Sequence, residues 1–541
     1  MRLLAWWVLA TLAAVTRSAR ILAVLPTNTR SHYAMYGKLL EALAKRHHQL
    51  TIVSHFPMKN PPPNVEEISV AGTIPEISNN LTLQDPSIMP EFIRNLEKIM
   101  AECVFACDAI SKEPAVKALL NSTVTFDLVI VEVFGTECFL PFGQRFTAPV
   151  VGLLSSVPLP WVNEQLGNPD AGAYVSSYMM GFGQRMNFLE RFANTWALQN
   201  IYLWNFCFYG EGLMSYFNKY FLIDSISSNL ESLAQNYSLV LSNSHFSINE
   251  VRPLVPALVE VGGLHLDDSQ KLSTDLKKIL DESIDGVIYW SFGSMSRIET
   301  IPSSTLAQIF QVFGDLPQTI LVKMNRALLS RNLTVPDNVY TMNWIPQYKT
   351  LCHPNVKLFI SHGGLLGTQE AVACGTPMLT IPLYADQALN AKAMSDREVA
   401  RVLLLKNVNL NIFILSALRM IRNKGYKENA IKLRARFLDR PVPPLDMGVY
   451  WIEYVLRHKG AHHLRNPSID LPLYQQLLLD IIAVSLVITI LTIYILHKLF
   501  RYLCTRCIKW WPKEKLIFEK SLVKRNSVFL CLFSKHKVKT K

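Results

Sequence analysis

The segment SHGGLLGTQEA, Ser361 to Ala371, sets a histidine, a glycine pair and a carboxylate close together. The apolar run VKLFIS before it reads as a buried strand and GTQEAVAC after it as a helix, so His362, Gly363 and Gly364 form the loop between. Glycine permits a sharp turn and lets a ligand approach the backbone. A helix N-terminus offers free N–H groups and a positive dipole end, a combination that suits a phosphate, with His362 as a further donor. Alone, HGG before a helix is a common loop, but its neighbours supply matching chemistry. Trp344 can stack on a base and Gln347 can bond the base edge. Glu370, early in the helix, can accept hydrogen bonds from ribose hydroxyls, and Asp386 with Gln387 can hold the hydroxyls of a sugar. Ser291, Gly293 and Ser294 end another strand and add donors for a diphosphate. Base, ribose, phosphate and sugar each have partners.

The elements that must position these residues come in two runs. ILAVL (Ile21–Leu25) reads as a strand, PTNTRSH as a loop, and Tyr33–Arg46 as a helix with Met35, Leu39, Leu40 and Leu43 on one face. Leu50–Ser54 completes a strand–helix–strand unit, hence a parallel sheet. FDLVIVE (Phe126–Glu132) and PVVGLLSS (Pro149–Ser156) have the continuous apolar character of buried parallel strands. VEVGGLHLDDSQKL (Val259–Leu272) reads as a linker. Alternation then restarts with GVIYWSFGS, QTILVKM, NVYTMNW, VKLFIS and MLTIPL. The expected fold class is α/β, with two Rossmann-like doubly wound domains and a cleft between them. Ligands should bind beyond the C-terminal strand ends. The expected layout is a first domain over 20–262, a linker over 263–285, a second domain over 286–455 and a return segment over 456–475. Aromatics crowd the stretch from Tyr174 to Phe221, among them Tyr178, Phe188, Phe192 and Trp196. Buried helix faces are the first reading there, and an apolar acceptor pocket or membrane contact the second.

Half of the 541 residues are hydrophobic, which raises the question of membranes. Residues 1–19 have the early arginine, apolar run and small residues of a signal peptide. Residues 476–500 contain the uncharged run IIAVSLVITILTIYIL, long enough with its flanks to span about 30 Å of hydrocarbon. The tail, 501–541, holds twelve Lys/Arg against two Asp/Glu, ten of the chain's twelve net positive charges. This positive side is expected in the cytosol. The remainder is nearly neutral, so charge gives no reason to infer nucleic-acid binding. The sequons at Asn80, Asn121, Asn236 and Asn332 all fall between signal and span, as a lumenal body requires. The ending KVKTK fits an endoplasmic reticulum retrieval signal. Six lumenal cysteines in so long a body form no disulfide framework. Cys103 and Cys107, one helical turn apart, are either a local bridge or free buried thiols. The pairs His47-His48 and His462-His463 lack the spacing of metal ligands and read as solvent-exposed.

The stretch NWIPQYKTLCHPNVKLFISHGGLLGTQEAVACGTPMLTIPLYADQALN closely resembles the signature of the UDP-glycosyltransferases of the membrane-bound animal type, most like invertebrate members. The likeness covers nearly the whole chain. It implies a GT-B fold with the acceptor site N-terminal and the nucleotide-sugar site C-terminal. By position, Trp344 would stack on uracil and Gln347 would bond the nucleotide. His362 with the Gly363 and Gly364 amides would hold the diphosphate, Glu370 the ribose, and Asp386 with Gln387 the sugar. The family's base is a histidine after the first strand, which His32 matches. Its partner is an acidic residue after the FDLVIV-type strand, which Glu132 matches, with Glu137 as the alternative. The donor would be a UDP-sugar with glucose as the hexose, and the acceptor a small lipophilic molecule. No cofactor and no metal are implied. A catalytically silent relative that binds lipophiles is the competing reading. Nothing in the pattern specifies an oligomeric state. The chain departs from the family in having Glu132 where many members have aspartate, and Glu398 where a glycine usually ends a helix. It also lacks the tryptophans often found near the LVKM strand.

Overall fold

The structure, a computed structural model, describes residues 18–58, 60–75, 81–82, 92–204, 219, 237–329, 333–404 and 410–510. The signal segment up to residue 17, the sequons at Asn80, Asn236 and Asn332, the aromatics from 205 to 218 and at 220–221, and the tail from 511 lie outside the described residues. Asn121 is exposed at the end of a short helix. The chain divides into two units, Met1–Ile469 and Asp470–Lys541.

The strands of the first unit are, in chain order, β1 (Arg20–Leu25), β2 (Gln49–Ser54), β3 (Val65–Ser69), the short β4 (Leu81–Thr82), β5 (Leu128–Glu132), β6 (Val150–Leu154), β7 (Tyr237–Ser242) and β8 (Leu258–Glu260). There follow β9 (Val287–Ser291), the short β10 (Ser296–Arg297), β11 (Thr319–Lys323), β12 (Val339–Met342), β13 (Val356–Ser361), β14 (Met378–Thr380) and β15 (Ala400–Val402). One sheet runs β3-β2-β1-β5-β6-β7-β8 and the other β12-β11-β9-β13-β14-β15, both parallel throughout. The pair β4–β10 links the two halves. Successive side chains on a strand point to opposite faces, and here both faces are covered. Leu22 and Val24 enter one core and Ile21, Ala23 and Leu25 another. In the second sheet Ile288 and Trp290 enter one core, Val287 and Tyr289 the other. This is why these strands read as continuous apolar runs rather than alternating ones. Strand order reverses between β1 and β5 and again between β9 and β13, opening a crevice at each carboxyl edge.

Helix α1 (Arg30–Lys45) buries Met35, Leu39, Leu40 and Leu43 as the periodicity requires. It starts earlier than Tyr33, so His32 sits in its first turn. Helix α2 (Phe92–Ser111) carries Cys103 and Cys107, which do not pair. Side chains one turn apart on a helix have Cβ atoms too far apart for a bridge. Cys107 bonds instead to Cys138, while Cys103 is buried and donates to the Phe134 carbonyl at 3.1 Å. Helix α3 (Phe188–Trp204) packs through Asn194, Ala197, Leu198 and Ile201, leaving Phe188, Phe192 and Trp196 exposed. The expectation of buried aromatics therefore fails there and holds for Tyr178.

The expected linker contains helix α4 (Thr274–Glu282), capped by Ser273, whose Leu276 and Leu280 enter the second sheet's core. Further on come α5 (Gln347–Leu351), α6 (Leu365–Cys374) and α7 (Gln387–Asp396). A second disulfide ties Cys352, just past α5, to Cys374. Glu398 follows α7 with φ of 54°. The backbone keeps the left-handed conformation that glycine adopts freely, and the side chain accepts from Asn429 at 3.2 Å. Helix α8 (Pro444–His458), expected in the second domain, packs on the first. Its Val449, Ile452 and Val455 join the core of Leu39, Leu241 and Leu264. His48, read as exposed, is buried. It accepts from the Ala19 amide and lies 3.6 Å from Glu453 on α8, while His47, His462 and His463 are exposed.

The second unit is dominated by α9 (Leu479–Trp510), whose most apolar 18 residues have mean hydropathy 2.5 and no burial. It is the one described helix long and apolar enough to cross a membrane.

Gly152 on β6 fits because a Cβ there would meet Val133 Cγ2 at 2.7 Å and Val240 Cγ2 at 2.9 Å. Gly152→Val is expected to cost about 1–3 kcal/mol by overpacking, read as a lower unfolding midpoint of the solubilised chain.

Candidate active site

The first crevice brings His32 and Glu132 together. Glu132 is the last residue of β5 and fully buried, and His32 Nδ1 lies 2.7 Å from its Oε1. Thr27, in the loop after β1, donates to the same carboxylate from Oγ1 at 2.7 Å and from its backbone N–H at 3.1 Å. A carboxylate beside Nδ1 makes that nitrogen the N–H donor, so Nε2 carries the lone pair. Phe134 packs edge-on against the imidazole at 4.9 Å between centroids and restrains its rotation. Glu132, rather than Glu137, is thus the carboxylate on His32; Glu137 is buried in a turn beside Cys138.

The second crevice collects the motif residues. A cavity of about 710 Å³ is lined by His32 and Phe134 from the first half and by Ser291, Gly293, Ser294, Trp344, Gln347, His362, Gly364, Glu370, Asp386 and Gln387 from the second. The His362 ring lies between two glycines. A Cβ on Gly293 would come within 2.7 Å of its Cε1, and one on Gly364 within 2.5 Å of its Nε2. Burial, helped by Lys323, pushes His362 down to about 4, so the imidazole is neutral. Helix α6 begins at Gly364 with no side-chain cap, and its first residues line the cavity with their N–H groups unclaimed by a cap.

Gly363 differs from expectation. Its N–H donates to Ser361 Oγ at 3.1 Å, its carbonyl accepts from Asn390 at 3.1 Å, and it does not line the cavity. With φ of 84° and Gln387 O only 2.9 Å from where a Cβ would be, it makes the turn rather than a ligand contact.

Gln347 joins two groups in the cleft, accepting from Tyr289 Oη at 3.1 Å and donating to Glu370 at 2.6 Å. Burial raises Glu370 to about 7. Trp344 is two-thirds exposed, an open platform for an aromatic ring. Burial raises Asp386 to about 6, and Asn390 donates to it at 2.8 Å. Gln387 accepts from the Leu383 and Tyr384 amides, so its carbonyl is engaged with the backbone. Thr27, Phe134, Tyr289 and Lys323 went unread in the sequence. None has a motif spacing; Thr27, Phe134 and Lys323 sit at or just past strand ends, and Tyr289 reads as an ordinary core residue inside β9.

Two parallel sheets that meet across a cleft at their carboxyl edges define the GT-B glycosyltransferases. The chain superposes on the glycotransferase of kitacinnamycin with a TM-score of 0.50, covering 82% of this chain and 100% of that one at 15% identity. CalG4, the calicheamicin glycosyltransferase, gives 0.51 over 82% and 99%, also at 15% identity. The family described as "UDP-glucoronosyl and UDP-glucosyl transferase" matches residues 21–514, and the chain belongs to it: it is a UDP-glycosyltransferase, which moves sugar from a UDP-sugar to an acceptor. Similar relatives include UDP-glucosyltransferase 2 of Dactylopius coccus, 34% identical over 95% of this chain and 98% of that protein. UDP-glycosyltransferase UGT5 of the same insect is 36% identical over 91% and 94%. UDP-glucuronosyltransferase 1A1 of Rattus norvegicus is 28% identical over 90% and 91%.

Glu370 has a folded pKa of about 7 against an ordinary 4.5, so the folded state binds its proton more tightly. That contribution is complete below pH 4.5 and is lost as pH rises through 7, up to about 3 kcal/mol. Glu370→Gln keeps an acceptor for Gln347 without the charge. The variant should melt above the wild type at pH 8 in donor-free protein, with the gap closing toward pH 5. An equal gap at both pH values contradicts the assignment.

Proposed function

We propose that the protein is an inverting glycosyltransferase that moves glucose from UDP-glucose to a hydroxyl of a small lipophilic acceptor, with His32 as general base. The observation that carries this reading is the His32–Glu132 pair, bonded at 2.7 Å, with His32 on the wall of the cavity that the motif residues also line and Glu132 buried behind it. Nε2 takes the proton of the acceptor hydroxyl as its oxygen attacks the anomeric carbon. The bond from that carbon to the β-phosphate oxygen breaks, and UDP leaves with the electron pair. Glu132 holds the imidazole tautomer and stabilises the imidazolium that forms. Trp344 stacks on uracil, Gln347 bonds the nucleotide and Glu370 the ribose. His362, Ser291, Gly293, Ser294 and the Gly364 end of α6 take the diphosphate. Asp386 and the Gln387 amide hold the sugar. The leaving group's charge falls on the chain's own donors, and the chemistry proposed uses no cofactor or metal.

The acceptor half of the cavity supports a lipophilic substrate, since Ile74, Ala106, Phe134 and Tyr178 line it near His32. Glucose is favoured by the higher identity to an insect protein named a UDP-glucosyltransferase than to the rat UDP-glucuronosyltransferase. The protein is proposed to be a single-pass endoplasmic reticulum protein anchored by α9, with its catalytic unit lumenal and its basic tail cytosolic.

Microsomes holding the wild type should transfer label from UDP-glucose to members of a panel of simple phenols. His32→Ala should abolish transfer and Glu132→Gln should lower kcat by about 10²–10⁴ with little change in UDP affinity. A wild type inert with every UDP-sugar would favour a lipophile-binding relative. Full activity in His32→Ala would overturn the base assignment.

A further inference from the structure

Lys323 is the last residue of β11, next to β9 in the sheet, and it reaches into the mouth of the cavity. Its Nζ donates to the Gly293 carbonyl and stands 5.3 Å from the centroid of the Trp344 indole. Among the described residues no carboxylate forms an ion pair with it. The nearby Glu299 receives the Asn325 amide, and Arg30 adds positive charge from the other side. Burial lowers the ammonium to about 8, because surrounding protein solvates the charge less well than water does. A half-buried cation held only by a carbonyl and a π face is better matched to an anion than to either. The other polar groups that the second sheet's loops bring to this end of the cleft are hydroxyls, amides and the neutral His362, which is kept neutral partly by Lys323 itself, while Arg30 is a second cation on the facing wall. A full positive charge here complements the charge of a nucleoside diphosphate, and His362 does not supply one.

We propose that Lys323 is the cation that meets the donor's diphosphate, reaching it by leaving the Gly293 carbonyl and the Trp344 ring. This rests on the reading of the cleft as a UDP-sugar site. The lysine has two positions. Resting, it covers part of the surface on which the base stacks and occupies the carbonyl of the Ser291–Ser294 loop. Engaged, it frees both and neutralises phosphate charge as the glycosidic bond breaks. A lysine suits this better than an arginine, since a compact ammonium on a flexible stem moves between partners without a fixed fork.

The test compares affinities of UDP and uridine for the full-length solubilised protein by calorimetry, in wild type, Lys323→Met and Lys323→Arg. Lys323→Met should weaken UDP by about ten- to a hundredfold, the usual cost of a charged hydrogen bond, while uridine changes by less than about threefold. Lys323→Arg should retain most of the UDP affinity. Equal losses for UDP and uridine in a Lys323→Met protein of normal melting temperature would show that the lysine supports the Trp344 platform and overturn the proposal. Unchanged UDP affinity would also overturn it. A wild type that binds UDP no better than uridine would instead remove the donor-site reading on which the proposal stands.

Discussion

A carboxylate with no exposed surface organises the acceptor side of this enzyme. Glu132 ends a central strand, and three donors from the loop and helix after β1 converge on it. Removing a charged group from water is costly unless its partners are fixed. The neighbouring strands β1 and β5 fix them, because their parallel register sets Thr27 and His32 at the same edge as Glu132. The dyad is therefore a property of the sheet. Glutamate in place of the family's more frequent aspartate is accommodated here, with Thr27 claiming part of the carboxylate and His32 the rest.

The donor side works by a different economy. Its glycines are placed by the size of one imidazole and by one sharp turn. Gly293 and Gly364 leave room for the His362 ring, while Gly363 turns the chain and spends its amide on Ser361. Anion binding then falls to the start of α6 and to side chains. Burial leaves Glu370 and Asp386 with raised pKa values and His362 with a lowered one, so the cleft is less charged than its composition suggests. Desolvated groups of this kind can respond strongly to a ligand that supplies charge or hydrogen bonds.

Much of this was legible in the amino-acid order. The two runs of buried strands, the helical face of Met35, Leu39, Leu40 and Leu43, and the placement of motif residues just after strands follow from periodicity. What escaped was what periodicity does not encode. A threonine such as Thr27 in a loop has no pattern, and two adjacent glycines look alike although only Gly364 borders the cavity. Cys107 chose a partner 31 residues away because the helix held the nearer cysteine at the wrong distance. The exposed face of α3 shows that aromatic content alone does not reveal burial. Glu398 shows the converse: the backbone kept a shape that the side chain does not favour.

The packing of α8 on the first domain bears on how the chain is made. Leu39, Leu241 and Leu264 find their cover on Val449, Ile452 and Val455. During synthesis the covering helix emerges long after the surface it must cover. At about 5–20 residues per second the wait is on the order of ten seconds or more. Throughout that interval an apolar face of the first domain is open while the whole donor half is being made. The N-terminal domain is complete only when α8 arrives, so its first core closes after the donor half has been made and not before.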